Sequence, residues 1–443
     1  MASTYLSKTY GSSGNRQKQT ISVWVKRTKL DDTQTIFWSN GGASYYAHLR
    51  FKSDNTLQYY AHNTCNLKTK YAFLDVNAWY HICITLDTTQ STEADRLKFY
   101  VNGVQQTVFT TSSYPSQNAE VKFADDNIHY IGQSDSGSYF EGYMSHFHFV
   151  TNTAYQASTF GSTDSVTGEW KINTSPTVTY NTNSFFIFKD GNSGTDQSGQ
   201  GNNYSVANGT FTKSEDCPSN VFPVINVLNY STTKWNIING NLSTNGHASG
   251  EGNAHRSVYG TIGASSGKYY FEMKLDRTYS SNPGHVRVGI IDAEQMNPSG
   301  DNGQFTTYSR GYGYLAETGN KVNNNSATSY GNSWNTNGAI VGCAFDLDNH
   351  KIYWSKNGTW QNSGVPTSGS TGTGSAFDLA TGRTYVPAVN HYYDDDRISF
   401  NFGNGYFGTT AVSSAGTNAS GIGIFEYDVP TGYTALSTKG LNL

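Results

Sequence analysis

Between positions 334 and 358 the chain reads WNTNGAIVGCAFDLDNHKIYWSKNG, two apolar runs flanking the polar corner Asp348-Asn349-His350 and ending at Asn357-Gly358. Alternation places Cys343, Phe345 and Leu347 on one face of the first run, and Ile352 and Trp354 on one face of the second. A period of two bounded by Asp, Asn and Gly predicts an antiparallel hairpin with a buried face. Positions 79–103 repeat the pattern. There Ile82, Ile84 and Leu86 alternate on one strand, Leu97, Phe99 and Val101 on the next, and Asn102-Gly103 closes the unit.

Further alternating segments fall at 20–26, 34–38, 47–51, 57–62, 127–132 and 142–150, then at 268–275, 285–291, 311–315, 383–389 and 397–402. In the first of these Ile21, Val23 and Val25 share a face, with Ser22, Trp24 and Lys26 opposite. No stretch shows the 3.6-residue period of a helix of three turns. The fold class expected is all-β: two antiparallel, jelly-roll-like β-sandwich domains in tandem, spanning 1–160 and 228–410. Residues 161–227 form an irregular bridging segment partly packed on the first domain, because Phe185, Phe186, Phe188 and Phe211 make it too apolar for a solvated linker. Residues 411–443 form a C-terminal tail.

Composition narrows the class. At 443 residues the chain suits two or three domains, and only 14% of it is charged. With 32 Tyr and 23 Phe it is too aromatic for disorder. A net charge of −4 and the lack of any long basic run leave no electrostatic footprint for nucleic acid, so none is expected as a partner. No membrane insertion is expected either, since no run approaches the ~20 apolar residues of a span. The N-terminal stretch MASTYLSKTYGS lacks the apolar core of a signal peptide. Cys65, Cys83, Cys217 and Cys343 are widely spaced and form no CxxC pair, which favours reduced thiols, buried in the case of Cys83 and Cys343.

Residues ISVWVK (21–26), WYHICITLD (79–87), LKFYVNG (97–103) and FEGYMSHF (140–147) occur in the order found in the laminin-G and concanavalin A-like lectin superfamily, which residues 1–160 resemble. Residues 228–410 resemble the SPRY domain through SGKYYFE (266–272), VGI (288–290), YGY (312–314), GCAFD (342–346), WSKNG (354–358), YVPA (385–388) and NFG (401–403). The tail FEYDVPTGYTALSTKGLNL and the opening segment 8–27 are similar to the ends of virion proteins of tailed phages of marine bacteria, which usually carry Asn where this chain has Gly440. Those resemblances imply sandwich domains that bind glycans, peptides or proteins through surfaces and loops.

Catalytic signals are weak. The Glu-x-Asp-x-x-Glu string of the resembling glucanases is missing, and the nearest carboxylates, Glu272 and Asp276, lie ~13 Å apart along an extended strand, too far for a retaining pair. There is no G-x-S-x-G elbow and no phosphate loop. His146 and His148 share a side of one strand and suit a solvated face better than a zinc site, while Phe147 and Phe149 face the core. Asp125-Asp126-Asn127 and Asp394-Asp395-Asp396 read as turns rather than calcium sites. No enzyme activity, metal or cofactor is expected. Aromatic pairs beside turns supply the candidate ligand-binding residues: Tyr45, Tyr46, Tyr59, Tyr392, Tyr393 and Asp394. Rings can stack on the apolar face of a sugar while Asp accepts its hydroxyl protons.

The expectation is a non-enzymatic phage virion structural protein, a fibre or surface appendage subunit. Its partners would be host-surface glycan and other virion proteins, in a homo-oligomer on the virion surface, after synthesis in the host cytoplasm. The alternatives are a polysaccharide depolymerase on a glucanase-like sandwich and an intracellular SPRY peptide-binding module.

Overall fold

The structure, a computed structural model, describes residues 3–134, 137–189, 193–228, 235–247, 254–277, 285–296, 303–393 and 395–442. It is all-β, with 42% of residues in strands and 6% in helical turns. Two compact units divide the chain: Met1–Lys213 with Cys217–Ser219, and Ser214–Asp216 with Asn220–Leu443.

In the first unit an eight-stranded sheet runs in the order Phe109–Ser113, Cys65–Ala72, Thr56–Ala61, Tyr46–Phe51, Gln34–Asn40, Ile128–Ile131, Tyr5–Thr9, Ser205–Asn208. A six-stranded sheet runs Phe185–Ile187, Gly142–Thr151, Lys18–Arg27, Tyr80–Asp87, Leu97–Val101, Val104–Gln106. The hairpin expected at 79–103 forms in register, with Ile82 opposite Val101, Ile84 opposite Phe99 and Leu86 opposite Leu97. Asn102 and Gly103 both take positive φ (48° and 75°), the two-residue turn that joins Leu97–Val101 to the next strand, Val104–Gln106. Phe37 stacks on Phe123 at 4.7 Å and meets the edges of Phe147 and Phe149 at 5.4 Å each.

His146 and His148 depart from expectation. The pairing of Gly142–Thr151 with Lys18–Arg27 slips between Ser145 and His148, and His146 has a φ of 46°. This bulge lets Met144 before it and Phe147 after it face the same core. Neither histidine is solvated. His148 lies 3.9 Å from the Phe186 ring, its Nδ1 is 2.6 Å from the Tyr180 hydroxyl, and both imidazoles are buried. Burial holds the His148 pKa well below its usual value. The cover comes from Tyr155, Ala157, Phe160, Trp170 and Val178, which pack with Cys83 and Tyr100. Much of the segment expected as a bridge is therefore the second layer over the six-stranded sheet, while Phe185, Ile187, Phe188 and Tyr204 enter the main core.

In the second unit the longer sheet runs Trp235–Ile238, Ser243–His247, Arg397–Asn401, Lys268–Arg277, Ile340–Asp346, Lys351–Lys356, Thr359–Trp360. The facing sheet runs Arg256–Tyr259, Tyr385–His391, Arg287–Asp292, Gly311–Leu315, Lys321–Asn323, Ser326–Thr328. The 340–356 hairpin pairs Cys343 with Trp354 and Phe345 with Ile352, all buried. Asp346 closes its corner by accepting the backbone N–H groups of Asp348 and Asn349.

Residues 425–436 contribute to this unit's core. Phe425, Val429, Tyr433, Ala435 and Leu436 are buried, and Thr434–Ala435 pairs in parallel with Lys268–Arg277. This segment covers the side of strand Lys268–Arg277 that bears Tyr270 and Glu272. The Phe425 ring lies 5.0 Å from that of Tyr270, and the Glu272 carboxylate accepts the backbone N–H groups of Glu426 and Tyr427 at 2.9 Å each. Tyr270 Oη and Asn401 Nδ2 donate to the same carboxylate at 3.1 and 3.2 Å. Burial pushes its pKa up to about 7 against these four donors.

Candidate ligand-binding surface

A strand buries one side-chain parity and presents the other, so each sheet of the first unit has an outer face. The outer face of the six-stranded sheet lies under residues 155–178. The eight-stranded sheet differs. Ala47, Leu49 and Phe51, with Leu57, Tyr59 and Ala61, point into the core, which turns Tyr46, His48 and Arg50, and Gln58 and Tyr60, outward.

Registry then aligns a row of rings across four strands. Tyr130 is opposite Trp38, Trp38 opposite His48, His48 opposite Tyr60, and Tyr60 opposite Asn66. Trp38 and Tyr130 stack at 5.0 Å, His48 and Tyr60 at 5.1 Å, and Tyr46 lies 5.7 Å from Tyr60 and 5.2 Å from His62. Two residues along, Arg50 Nε donates to Gln58 Oε1 at 3.0 Å, and Gln58 Nε2 to Asn66 Oδ1 at 2.8 Å. Tyr46, Tyr60 and Tyr130 are half-buried.

Two polar atoms in the row have no hydrogen-bond partner among the described residues, Trp38 Nε1 and His48 Nε2, and both are buried. Burial, then the charges of Arg50 and Lys52, lowers the His48 pKa to about 2, so its imidazole is neutral. Trp38 and His48 are buried and back the half-buried Tyr46, Tyr60 and Tyr130, whose rings, edged by amide and guanidinium groups, can meet a sugar and hydrogen-bond its hydroxyls.

Of the residues singled out in sequence, Tyr46 belongs to this face. Tyr59 does not: it is 1% exposed, in the core against Phe99 and Phe123, because alternation sends Tyr60 outward in its place. Tyr45 sits beside the row, where Arg16 donates to its hydroxyl and Lys122 Nζ lies 4.0 Å from its ring centroid. Tyr393 is buried and Tyr392 half-buried in the second unit, their rings at 90° and 4.9 Å apart. Asp394 lies outside the described residues. The sequence reading passed over Trp38, His48 and Tyr130, although alternation around Ala47, Leu49 and Phe51 marks His48 as outward-facing.

The clusters around Asp125, His81 and Glu272 are internally satisfied. Asp125 accepts from Ser13 and, at 2.7 Å, from Arg16, so its turn is held by an ion pair. Ser22 Oγ lies 2.9 Å from His81 Nε2, but Trp170 Nε1 donates to His81 Nδ1 at 3.0 Å. The proton is thereby fixed on Nε2, and His81 donates to Ser22 instead of acting as its base. Glu272 is fully buried, and Asp276 accepts from the Ser399 hydroxyl. All four cysteines are unpaired thiols; burial pushes Cys65 and Cys83 up to about 12. In the second unit a cavity of about 340 Å³ opens between Lys268 and Thr434, with its charged groups already engaged, Lys268 with Asp346 at 3.3 Å and Asp348 with Gly267 N at 2.7 Å.

Residues 2–159 match the sequence model of the concanavalin A-like lectin/glucanases superfamily, and residues 268–405 match that of the SPRY domain. Among solved structures, the SPRY domain of human HERC1 is 22% identical, covering 38% of this chain and 91% of its own, with a TM-score of 0.29. A second human SPRY domain is 16% identical, with coverages of 36% and 89% and a TM-score of 0.26. A heptameric SAP-like pentraxin from Limulus polyphemus is 18% identical, with coverages of 35% and 72% and a TM-score of 0.27. The search of curated proteins returned no match. The chain thus carries a concanavalin A-like domain and a SPRY domain, which suggests a role in binding.

Proposed function

We propose that the protein is a non-enzymatic glycan-binding subunit, and that the outer face of its eight-stranded sheet is the sugar-binding surface. The observation that carries this reading is the cross-strand row Tyr130, Trp38, His48 and Tyr60, flanked by Arg50, Gln58 and Asn66. Its rings and hydrogen-bonding groups lie on a rigid sheet, so little order has to be imposed when a ligand binds. The absence of a sequence signature for catalysis and the internal satisfaction of Glu272, Asp125 and His81 favour binding over hydrolysis. In the fuller form of the proposal the chain is a fibre or appendage subunit on the virion surface of a tailed phage, homo-oligomeric, contacting host-surface glycan and neighbouring virion proteins. That setting is supported by the resemblance of residues 8–27 and 425–443 to the ends of such virion proteins.

The test is binding of the full chain to a glycan array and to bacterial envelope material. Tyr60→Ala is expected to weaken binding roughly tenfold, about 1.4 kcal/mol, through loss of one stacking ring, with the unfolding midpoint nearly unchanged because Tyr60 is half-buried and outside the core. Equal binding by wild type and variant would remove the face from consideration. Release of reducing ends from the envelope would replace binding with hydrolysis. Immunogold labelling of particles with antibody to the chain tests the virion setting separately.

A further inference from the structure

Arg287 opens the strand Arg287–Asp292 and lies opposite Asn390 of Tyr385–His391. Val288, Ile290 and Val389 enter the core of the second unit, so Arg287 and Asn390 share the outer face of its six-stranded sheet. The guanidinium is nonetheless sunk into that face: Arg287 is 9% exposed. Its Nη1 donates to Asn390 Oδ1 at 3.0 Å and lies 3.4 Å from His255 Nδ1. Its Nε is buried without a hydrogen-bond partner among the described residues. The acceptors around it, an amide and an imidazole, are neutral. Burial first, then Arg287 itself, depresses the His255 pKa to about 4. Glu317 lies 4.0 Å from His285 Nδ1, and its charge acts on Arg287 as well, offsetting only part of the burial that lowers the guanidinium pKa to about 10.

Buried charges in proteins are ordinarily paired, because desolvation of an unpaired ion is costly. Here the charge stands beside a group of rings. His255 is 4.8 Å from Tyr392, and His285 lies 5.5 Å from Tyr392 and 5.6 Å from Tyr393. Tyr392 is half-buried, which leaves ring surface open to solvent.

We infer that Arg287 anchors a binding site for a carboxylated sugar, a uronate-type residue whose carboxylate meets the guanidinium while its ring lies against Tyr392 and His285. The planar guanidinium matches a planar carboxylate, and a single positive charge matches a single negative one. A neutral sugar would leave the buried guanidinium without a directly paired anion, its charge offset only in part by Glu317, and a free phosphate would leave the rings uncovered. The inference concerns the second unit alone and is independent of the reading of the first.

Calorimetric titration of the full chain with sodium glucuronate, glucose and sodium phosphate tests it. Glucuronate is expected to bind at least tenfold more tightly than the other two. Arg287→Met should lower that affinity at least tenfold while leaving the unfolding midpoint unchanged or higher, since it removes a buried charge that burial disfavours more than Glu317 supports it. Tyr392→Ala should weaken glucuronate binding several-fold, and Tyr60→Ala should not affect it. Glucuronate affinity retained in Arg287→Met, phosphate binding as tightly as glucuronate, or no glucuronate binding would each overturn the assignment. A lowered midpoint or failure to fold in Arg287→Met would do so too, by showing that the guanidinium serves the fold.

Discussion

Glu272→Ala is expected to loosen residues 424–428 from the second unit and to lower its stability by roughly 2–4 kcal/mol. The carboxylate accepts from the N–H groups of Glu426 and Tyr427, Asn401 Nδ2 and the Tyr270 hydroxyl, and the Tyr270 ring meets that of Phe425. Each buried donor left without an acceptor costs ~1–3 kcal/mol, offset in part because a carboxyl group no longer has to be desolvated. Hydrogen exchange should show Glu426 and Tyr427 N–H groups losing protection in the variant, and calorimetry a lower unfolding transition. Unchanged protection would mean that apolar packing alone holds the segment.

The same group makes stability depend on pH. Its pKa is raised from 4.5 to about 7 in the folded state. Below pH 4.5 it is protonated whether folded or unfolded, and its favourable contribution is fully present. Between about 4.5 and 7 the unfolded chain releases the proton that the folded chain retains, so stability declines as pH rises, by up to about 3 kcal/mol, and levels off above 7. The difference in unfolding free energy between wild type and Glu272→Ala should follow this curve, the wild type gaining relative to the variant as pH falls. A difference independent of pH would contradict the assignment.

The second large effect is expected at Trp354. Its side chain is fully buried, stacked on Tyr314 at 5.7 Å and met edge-on by Tyr330 at 5.8 Å and Phe377 at 6.3 Å. Its backbone N–H donates to the Tyr330 hydroxyl at 3.1 Å, which ties the 340–356 hairpin to the segment that follows strand Ser326–Thr328. Trp354→Ala should destabilise the second unit by ~3–5 kcal/mol, the usual cost of emptying so large a core position. Chemical denaturation followed by near-ultraviolet circular dichroism measures it. Trp354→Phe should recover most of the loss; a cost below 1 kcal/mol for the alanine variant would mean that the hairpin is not central to the core.

Both hairpins were legible in the sequence because one parity of each strand is apolar, and because Asn-Gly at 102–103 and 357–358, each with two successive positive φ angles, ends the second strand of each and turns the chain into the next strand. Much of what covers the outer faces was not. Strand Lys18–Arg27 is buried on both sides, Lys26 included, and the cover, Tyr155 to Val178, comes from a stretch with scattered rings and no period. The tail hid its role for the same reason: Phe425, Val429 and Tyr433 are core residues at spacings that fit neither strand nor helix. Short polar strands such as Phe109–Ser113 and Ser205–Asn208 lie at the two edges of the eight-stranded sheet, where exposed residues carry no apolar alternation. For the candidate surface, residue type was informative and parity was misapplied. Tyr59 and Tyr60 are adjacent, and the apolar neighbours Leu57 and Ala61 already assign Tyr59 to the core.

The most direct test of the account is a ¹H–¹⁵N spectrum of the tryptophan indoles of the full chain, recorded during titration with a glycan that the array identifies. Of the eight tryptophans, Trp38 stacks with Tyr130 in the proposed binding row, while Trp334 and Trp354 lie in the core of the second unit. The Trp38 indole resonance, assigned through Trp38→Phe, should shift progressively with added glycan while those of Trp334 and Trp354 stay fixed. A saturable titration that leaves Trp38 unmoved would contradict the account, because the glycan would then be bound away from the eight-stranded sheet.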